Sequence, residues 1–258
     1  MNKITQAFQD KKTFIAFITG GDPDIETTEK LIVAMSEAGV DIIEIGIPFS
    51  DPVAEGIVIQ EADERALSNG CTVDKLFDMV KRVREKVSIP LLFMSYINPI
   101  FVYGKERFMK KCKDCGIDGV IVPDLPFEEK DEISDVCGKY GITQISLIAP
   151  TSHERTETIA KDSEGFVYCV SSLGVTGMRS AINTDIVEMI AQAKRVSSTP
   201  CAIGFGISNA AQAREMAALS DGVIVGSAIV KLVAEHGRGC VEPVSQFVGA
   251  MSDAIKNV

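Results

Sequence analysis

One acidic side chain lies in a setting where acids are uncommon. Glu44 sits within the apolar run IIEIG, near the end of a short segment rich in β-branched residues (41–46). Alternation along a strand places it on the same side as Ile42 and Gly46. A carboxyl group desolvated there should have a raised pKa, which suits a general acid or base working near neutral pH. The alternative is a buried carboxylate that caps a helix or pairs with a basic residue.

A second carboxylate follows on a polar turn. The segment PFSDPVAEGIVIQ (48–60) contains Ser50, Asp51 and Pro52, which favour a turn, and then Glu55 before a helical stretch. Glu55 could extend the acid–base chemistry of Glu44. The alternative is an exposed loop that leads into a helix cap.

Three glycine-rich turns occur in the second half of the chain. They read SSLGVTG (171–177), GFGIS (204–208) and GSAIV (226–230), and each follows an apolar run. Backbone N–H groups at such turns and at a helix N-terminus can hold a phosphate without a basic side chain. Tight turns without a ligand are the alternative, but three turns at matching strand ends favour phosphate binding.

The composition excludes several other kinds of site. The 258 residues carry 26 Lys and Arg against 36 Asp and Glu, a net charge of −10 that argues against nucleic acid or anionic membrane as the main partner. Two His cannot form a three-His metal site, so no metal is predicted. Seven scattered Cys do not suggest a disulfide framework, and the CxxC pair Cys112 and Cys115 lacks a second pair. With a polar N-terminus and no apolar run near 20 residues, the predicted location is the cytoplasm.

The elements that must position these residues alternate regularly. Eight short, nearly continuous apolar runs indicate parallel strands buried on both faces, at 14–19, 41–46, 90–95, 119–122, 143–148, 166–170, 201–204 and 222–225. Between them lie amphipathic stretches, including 26–38, 73–87, 105–115, 128–140 and 185–196.

Eight such units in about 250 residues predict an α/β fold, a single (β/α)8 TIM barrel over 1–258. We also expect an extra N-terminal helix and long loops after strands 2 and 6. The segment 47–89 has room for a loop and two helices, and 171–183 is a long polar loop. A doubly wound sheet is the main alternative, but the turn TGGDPD after the first strand lacks its GxGxxG spacing.

Several of these motifs together resemble one family. IEIGIPFSDP followed by AEG, then SYINPI, PDLPFEE, SSLGVTG, GFGIS and GSAIV, occur in the order found in the tryptophan synthase alpha subunit family, from about Phe14 to Lys231. The resemblance implies a lyase that cleaves indole-3-glycerol phosphate into indole and glyceraldehyde 3-phosphate without a metal or cofactor. It also implies a partner, a pyridoxal-phosphate beta subunit that receives indole, in an alpha2beta2 assembly.

The resemblance also assigns roles to individual residues. Glu44 matches the family's catalytic glutamate, and Glu55 stands where the family usually has the Asp that interacts with the indole N–H. The positions that match the substrate-binding residues are Phe17, Tyr96, Tyr168 and Phe205 around the substrate, Thr176 in the closing loop, and Gly177, Gly206, Gly226 and Ser227 at the phosphate.

One departure from the family bears on activity. The sequence reads AEGI where the family usually reads ADGP, so Glu55 adds a methylene group and Ile57 replaces a proline. A displacement of about 1 Å at a reacting site can cost about 100-fold in rate. We therefore expect an active enzyme with modest turnover when it is free.

The sequence leaves two other functions open. The protein could bind the phosphate ester without efficient catalysis and activate a partner allosterically. It could also be a stand-alone lyase that releases free indole. An isolated carboxyl group in an apolar strand favours catalysis over binding alone.

Overall fold

Eight parallel strands close a barrel. The computed structural model describes residues 2–150, 153–170, 184–204 and 206–258. Neighbouring strands pair in chain order and the eighth pairs with the first, which confirms the predicted TIM barrel. The strands are β1 (Thr13–Thr19), β2 (Ile42–Gly46), β3 (Leu91–Met94), β4 (Gly119–Ile121), β5 (Thr143–Ile148), β6 (Val167–Val170), β7 (Cys201–Gly204) and β8 (Gly222–Val225).

Helices surround the barrel. They are α1 (Lys3–Ala7), α2 (Ile25–Glu37), α3 (Ile57–Ser68), α4 (Val73–Val83), α5 (Ile97–Tyr103), α6 (Lys105–Cys115), α7 (Asp131–Tyr140), α8 (His153–Asp162), α9 (Thr184–Val196), α10 (Ala210–Leu219), α11 (Ser227–His236) and α12 (Val241–Lys256). The extra N-terminal helix is α1, and the segment 47–89 contains a loop and two helices, as the sequence predicted. None of the described helices is long and apolar enough to cross a membrane.

Two predicted helices differ from the structure by more than one residue at an end. The stretch 128–140 is divided at Lys130 into a short 3-10 turn, Phe127–Glu129, which follows Pro126, and the helix α7. The stretch 73–87 is helical only to Val83, after which the chain turns towards the proline that precedes β3. The second long loop, 171–183, lies outside the described residues.

Glycines end several helices just before a strand. Gly116 and Gly141 follow α6 and α7 with φ values of 90° and 69°. Residues with a side chain rarely adopt this left-handed backbone conformation, so glycine at these positions lets the chain turn directly into β4 and β5.

The strands are buried on both faces, and this arrangement leaves one end of the barrel for chemistry. Their outward side chains form the main core with the helices. Their inward side chains form a second, apolar cluster that includes Ile15, Ile42, Leu92, Ile121, Ile145 and Ile224, with Ile4 of α1 and Phe166. The half of the barrel towards the amino ends of the strands, the lower half, is therefore filled. The loops at the carboxyl ends of the strands surround the other, upper half.

Candidate active site

Glu44 lies in the middle of β2, paired with Phe17 of β1 on one side and Leu92 of β3 on the other. Its side chain is 0% exposed, and both carboxyl oxygens lack a hydrogen-bond partner among the described residues. Neither a helix cap nor an ion pair involves Glu44 in this part of the chain. Burial raises the pKa of Glu44 to about 8, so the group is mainly protonated at pH 7.

Two aromatic residues, Tyr168 and Phe17, lie near Glu44. Tyr168 of β6 is close enough that the Glu44 carboxyl, after burial, contributes to holding the pKa of Tyr168 well above its usual value. Phe17 packs beside Gly46 and Gly226, where an added Cβ would lie 2.8 Å and 3.3 Å from the Phe17 ring. These glycines therefore leave room for the Phe17 ring at the barrel mouth.

Glu55 is held by Tyr96 rather than pointing freely into solvent. The Tyr96 hydroxyl donates a hydrogen bond to Oε2 of Glu55 and accepts bonds from the backbone N–H groups of Val53 (3.0 Å) and Ala54 (2.8 Å). One tyrosine thus fixes three consecutive loop residues. Burial, with a smaller contribution from the charge of Asp124, raises the pKa of Glu55 to about 7.

A small cavity brings Glu55 and Tyr96 together with Phe17, Met94 and a residue that sequence analysis missed, Asp63. Asp63 is buried on α3, four residues after the buried Ile59, and so lies on the same helical face. The sequence spacing therefore places Asp63 on the buried face of α3, but it does not indicate that an acid there belongs to the site.

The phosphate-binding candidates lie at two strand ends. Gly206 follows β7 with a φ of 67°, and Gly226 precedes Ser227, the first residue of α11. No described side chain caps this end of α11, whereas Asn209 caps the neighbouring α10 by accepting from Gln212. The uncapped N–H groups of α11 can therefore bind an anion. Three other candidates, Thr176, Gly177 and Phe205, lie outside the described residues.

The cysteines do not form a metal site in the described part of the chain, where no group of three or more His, Cys, Asp or Glu could hold an ion. All seven are free and buried. Cys112 and Cys115 lie on the buried face of α6, and burial raises the pKa of both thiols. They are packed as small apolar side chains rather than as reactive thiolates.

Comparisons with known proteins agree over the whole chain. Residues 4–256 match the family model described as tryptophan synthase alpha chain. The chain is 46% identical to the tryptophan synthase alpha chain of Caldanaerobacter subterraneus subsp. tengcongensis, covering 99% of this chain and 100% of the relative. For Lacticaseibacillus casei the identity is 45%, over 99% and 96% of the two chains.

Solved structures give the same result. Tryptophan synthase subunit alpha from Legionella pneumophila str. Paris superposes with a TM-score of 0.91 at 35% identity, over 100% of both chains. A chain from the tryptophan synthase α2β2 complex of Pyrococcus furiosus has a TM-score of 0.86 at 37% identity, over 93% of this chain and 98% of that one.

Proposed function

Because the chain belongs to the tryptophan synthase alpha chain family, we propose that Glu44 and Glu55 perform the proton transfer and charge stabilisation of the family's reaction. That reaction is the retro-aldol cleavage of indole-3-glycerol phosphate to indole and glyceraldehyde 3-phosphate. The observation that carries the proposal is the fully buried Glu44 carboxyl in the middle of β2, with no hydrogen-bond partner among the described residues.

Glu44 serves as both acid and base in this account. The indole carbon leaves only after C3 is protonated, and the neutral Glu44 carboxyl donates that proton. The bond between C3 and the glycerol carbon then breaks as the adjacent hydroxyl loses its proton to the Glu44 carboxylate and becomes the aldehyde. Glu44 therefore ends the cycle protonated, as it began. A pKa of about 8 keeps this acid protonated at neutral pH while leaving it able to give up its proton.

Glu55 stabilises the charged intermediate. Protonation at C3 places positive charge near the indole nitrogen, and an ionised carboxylate that accepts the indole N–H favours that state. Tyr96 holds Glu55 and the loop before it in a fixed position. Because Tyr96 anchors Glu55 in this way, we propose that the loop conformation accommodates the extra methylene group relative to the family's usual Asp.

The remaining residues bind the substrate. Aromatic side chains enclose the indole ring, and the uncapped N–H groups of α11 and the turn after β7 hold the phosphate. In this proposal the ring contacts are Phe17, Tyr96, Tyr168 and Phe205, and the phosphate and closing-loop contacts are Thr176, Gly177, Gly206, Gly226 and Ser227. The reaction on this chain is proposed to need no metal and no cofactor.

The partner is a tryptophan synthase beta subunit in an alpha2beta2 assembly, which receives the indole. Three exposed apolar side chains near the carboxyl ends of the strands support a contact surface there. Val53 precedes α3, Ile57 is the first residue of α3, and Val102 lies on α5. We propose that these residues face the beta subunit, where pyridoxal phosphate is bound. Seven free thiols fit a reducing compartment, so we propose a cytoplasmic location.

The test is an assay with indole-3-glycerol phosphate in the presence of a chelator and without pyridoxal phosphate. We expect indole and triose phosphate in equal amounts, and a faster rate when a cognate beta subunit is added. The variant Glu55→Asp should be active, and Glu64→Gln, a change at an exposed glutamate on α3, serves as the control. If the chelator abolishes cleavage, or if the chain and Glu55→Asp are both inert, the proposal is wrong. An inert chain restored by Glu55→Asp would show that Glu55 disables the reaction.

A further inference from the structure

Asp63 is a buried acid beside the site to which the proposed reaction gives no role. It lies on α3 and is 5% exposed. It lines the same small cavity as Glu55 and Tyr96. Two carboxyl side chains therefore reach one cavity from two elements, the loop after β2 and the helix that follows it.

The surroundings of Asp63 offer little to stabilise a negative charge. Its Oδ2 accepts one long hydrogen bond, 3.5 Å, from the backbone N–H of Phe49. No ion pair reaches Asp63 among the described residues. The nearby Arg65 donates two hydrogen bonds, of 2.9 Å and 2.8 Å, to Asp22 and is committed to that carboxylate.

The other titratable groups around Asp63 are acidic or neutral at pH 7. Glu55 faces it from the loop after β2, and Asp22 from the turn after β1. Cys71 approaches from the turn after α3, and Tyr96 from the end of β3. Asp124, in the turn after β4, adds negative charge near Glu55. Two like charges in a cavity of low polarity repel each other strongly, which disfavours ionisation of both groups at once.

The titration behaviour of the two acids supports this. Burial, followed by the charges of Glu55 and Asp22, raises the pKa of Asp63 to about 7, and the pKa of Glu55 is raised to the same region. Two acids that repel each other across one cavity lose their protons in two steps that belong to the pair rather than to either residue.

Building on the proposed role of Glu55, we propose that Asp63 is a positioning residue that shares one proton with Glu55 in the substrate-free enzyme on the acidic side of its pH range, so that the two carboxyl groups together carry a single negative charge until the pair loses its second proton. Sharing keeps part of that charge on Asp63. Glu55 is then fully ionised only when the pair has lost its second proton. Asp63 thereby sets the pH at which the enzyme becomes active.

The experiment compares kcat/KM for indole cleavage between pH 5.5 and 8 in four proteins: the unaltered chain, Asp63→Asn, Glu55→Gln and the control Glu64→Gln. Removing Asp63 leaves Glu55 to titrate alone. In Asp63→Asn we therefore expect the acidic limb of the pH profile, where kcat/KM rises with pH, to move to lower pH by about half a pH unit or more. Glu55→Gln should lose the limb, and Glu64→Gln should leave it in place.

The outcomes separate two possible failures. A limb that stays in place in Asp63→Asn but disappears in Glu55→Gln overturns the shared proton and leaves the role of Glu55 intact. A limb that persists in Glu55→Gln overturns the role of Glu55, and with it this inference. If Asp63→Asn does not fold, the carboxyl ¹³C shift of Glu55 in the unaltered chain decides: a two-step titration supports the shared proton, and a single step contradicts it.

Discussion

The two halves of the barrel interior use the same strands in opposite ways. In the lower half Ile15, Ile42 and Leu92 pack into a closed apolar cluster. Two residues further along the same three strands, and on the same side, lie Phe17, Glu44 and Met94. The lower set gains stability from burial, whereas the upper set includes a carboxyl group with no hydrogen-bond partner among the described residues.

The upper half therefore reduces the stability of the fold in order to hold a reactive acid. Glu44 has a pKa of about 8 in the folded chain against 4.5 as an ordinary glutamate. Between these values the unfolded chain has released the proton and the folded chain retains it. The contribution of Glu44 to the free energy of unfolding is thus most favourable below about pH 4.5. It falls by about 1.4 kcal/mol for each pH unit as the pH rises towards 8.

The largest expected effect on stability is in the lower half. Leu92→Ala removes a fully buried side chain, and we expect it to lower the free energy of unfolding by about 3 kcal/mol. Met94→Ala, two residues along the same strand, should cost less than half as much because Met94 is only partly buried. It should, however, reduce kcat/KM, since Met94 lines the cavity with Glu55. Urea unfolding at pH 7 measures the free energy of unfolding of both variants. Equal losses would contradict the difference between the lower and upper halves of the barrel.

An effect of opposite sign is expected from Glu44→Gln. Glutamine cannot ionise, so this variant avoids the penalty that Glu44 incurs between pH 4.5 and 8. We expect it to be more stable than the unaltered chain by up to about 3 kcal/mol at pH 7, and no more stable at pH 4.5. Urea unfolding at both values checks this, with Glu64→Gln as the exposed control. A stability difference that does not change with pH would show that Glu44 ionises normally in the folded chain.

The pH profile of kcat/KM should be a narrow bell. Activity rises as Glu55 loses its proton near pH 7 and falls as Glu44 loses its proton near pH 8. Beyond each limb we expect about a tenfold loss for each pH unit. Steady-state rates from pH 5.5 to 9.5 test this, and a profile flat from pH 6 to 9 would be incompatible with both assignments.

A smaller effect is expected from Tyr96→Phe. The change removes the hydroxyl that anchors Val53, Ala54 and Glu55 but keeps the ring. Loss of one such hydrogen-bonded anchor should lower kcat/KM by about tenfold, or about 1.4 kcal/mol. Tyr103→Phe is the matched control, because its hydroxyl bonds to Asp74 away from the cavity. Equal effects of the two changes would remove the special role of Tyr96.

The sequence predicted the barrel and the position of Glu44 because both depend on local patterns. Continuous apolar runs identify strands buried on both faces, and alternation within IIEIG directs Glu44 inwards with Ile42. The two helices between β2 and β3 followed from segment length alone.

The features that were missed depend on contacts between distant residues. Tyr96 and Glu55 are 41 positions apart, and no local pattern indicates their hydrogen bond. Asp63 occupies the buried face of α3, but its part in the site becomes evident only when the preceding loop brings Glu55 into the same cavity.

The proposed reaction depends most on Glu44 as the proton donor and acceptor. The most direct measurement is single-turnover indole formation by Glu44→Gln, together with the affinity for indole-3-propanol phosphate, which lacks both hydroxyls of the substrate's glycerol chain, including the one that reacts. We predict a loss of at least about 100-fold in the cleavage rate, typical of removing a general acid, with the analogue's Kd changed by less than about threefold. Cleavage within tenfold of the unaltered chain, with binding intact, would contradict the central role of Glu44.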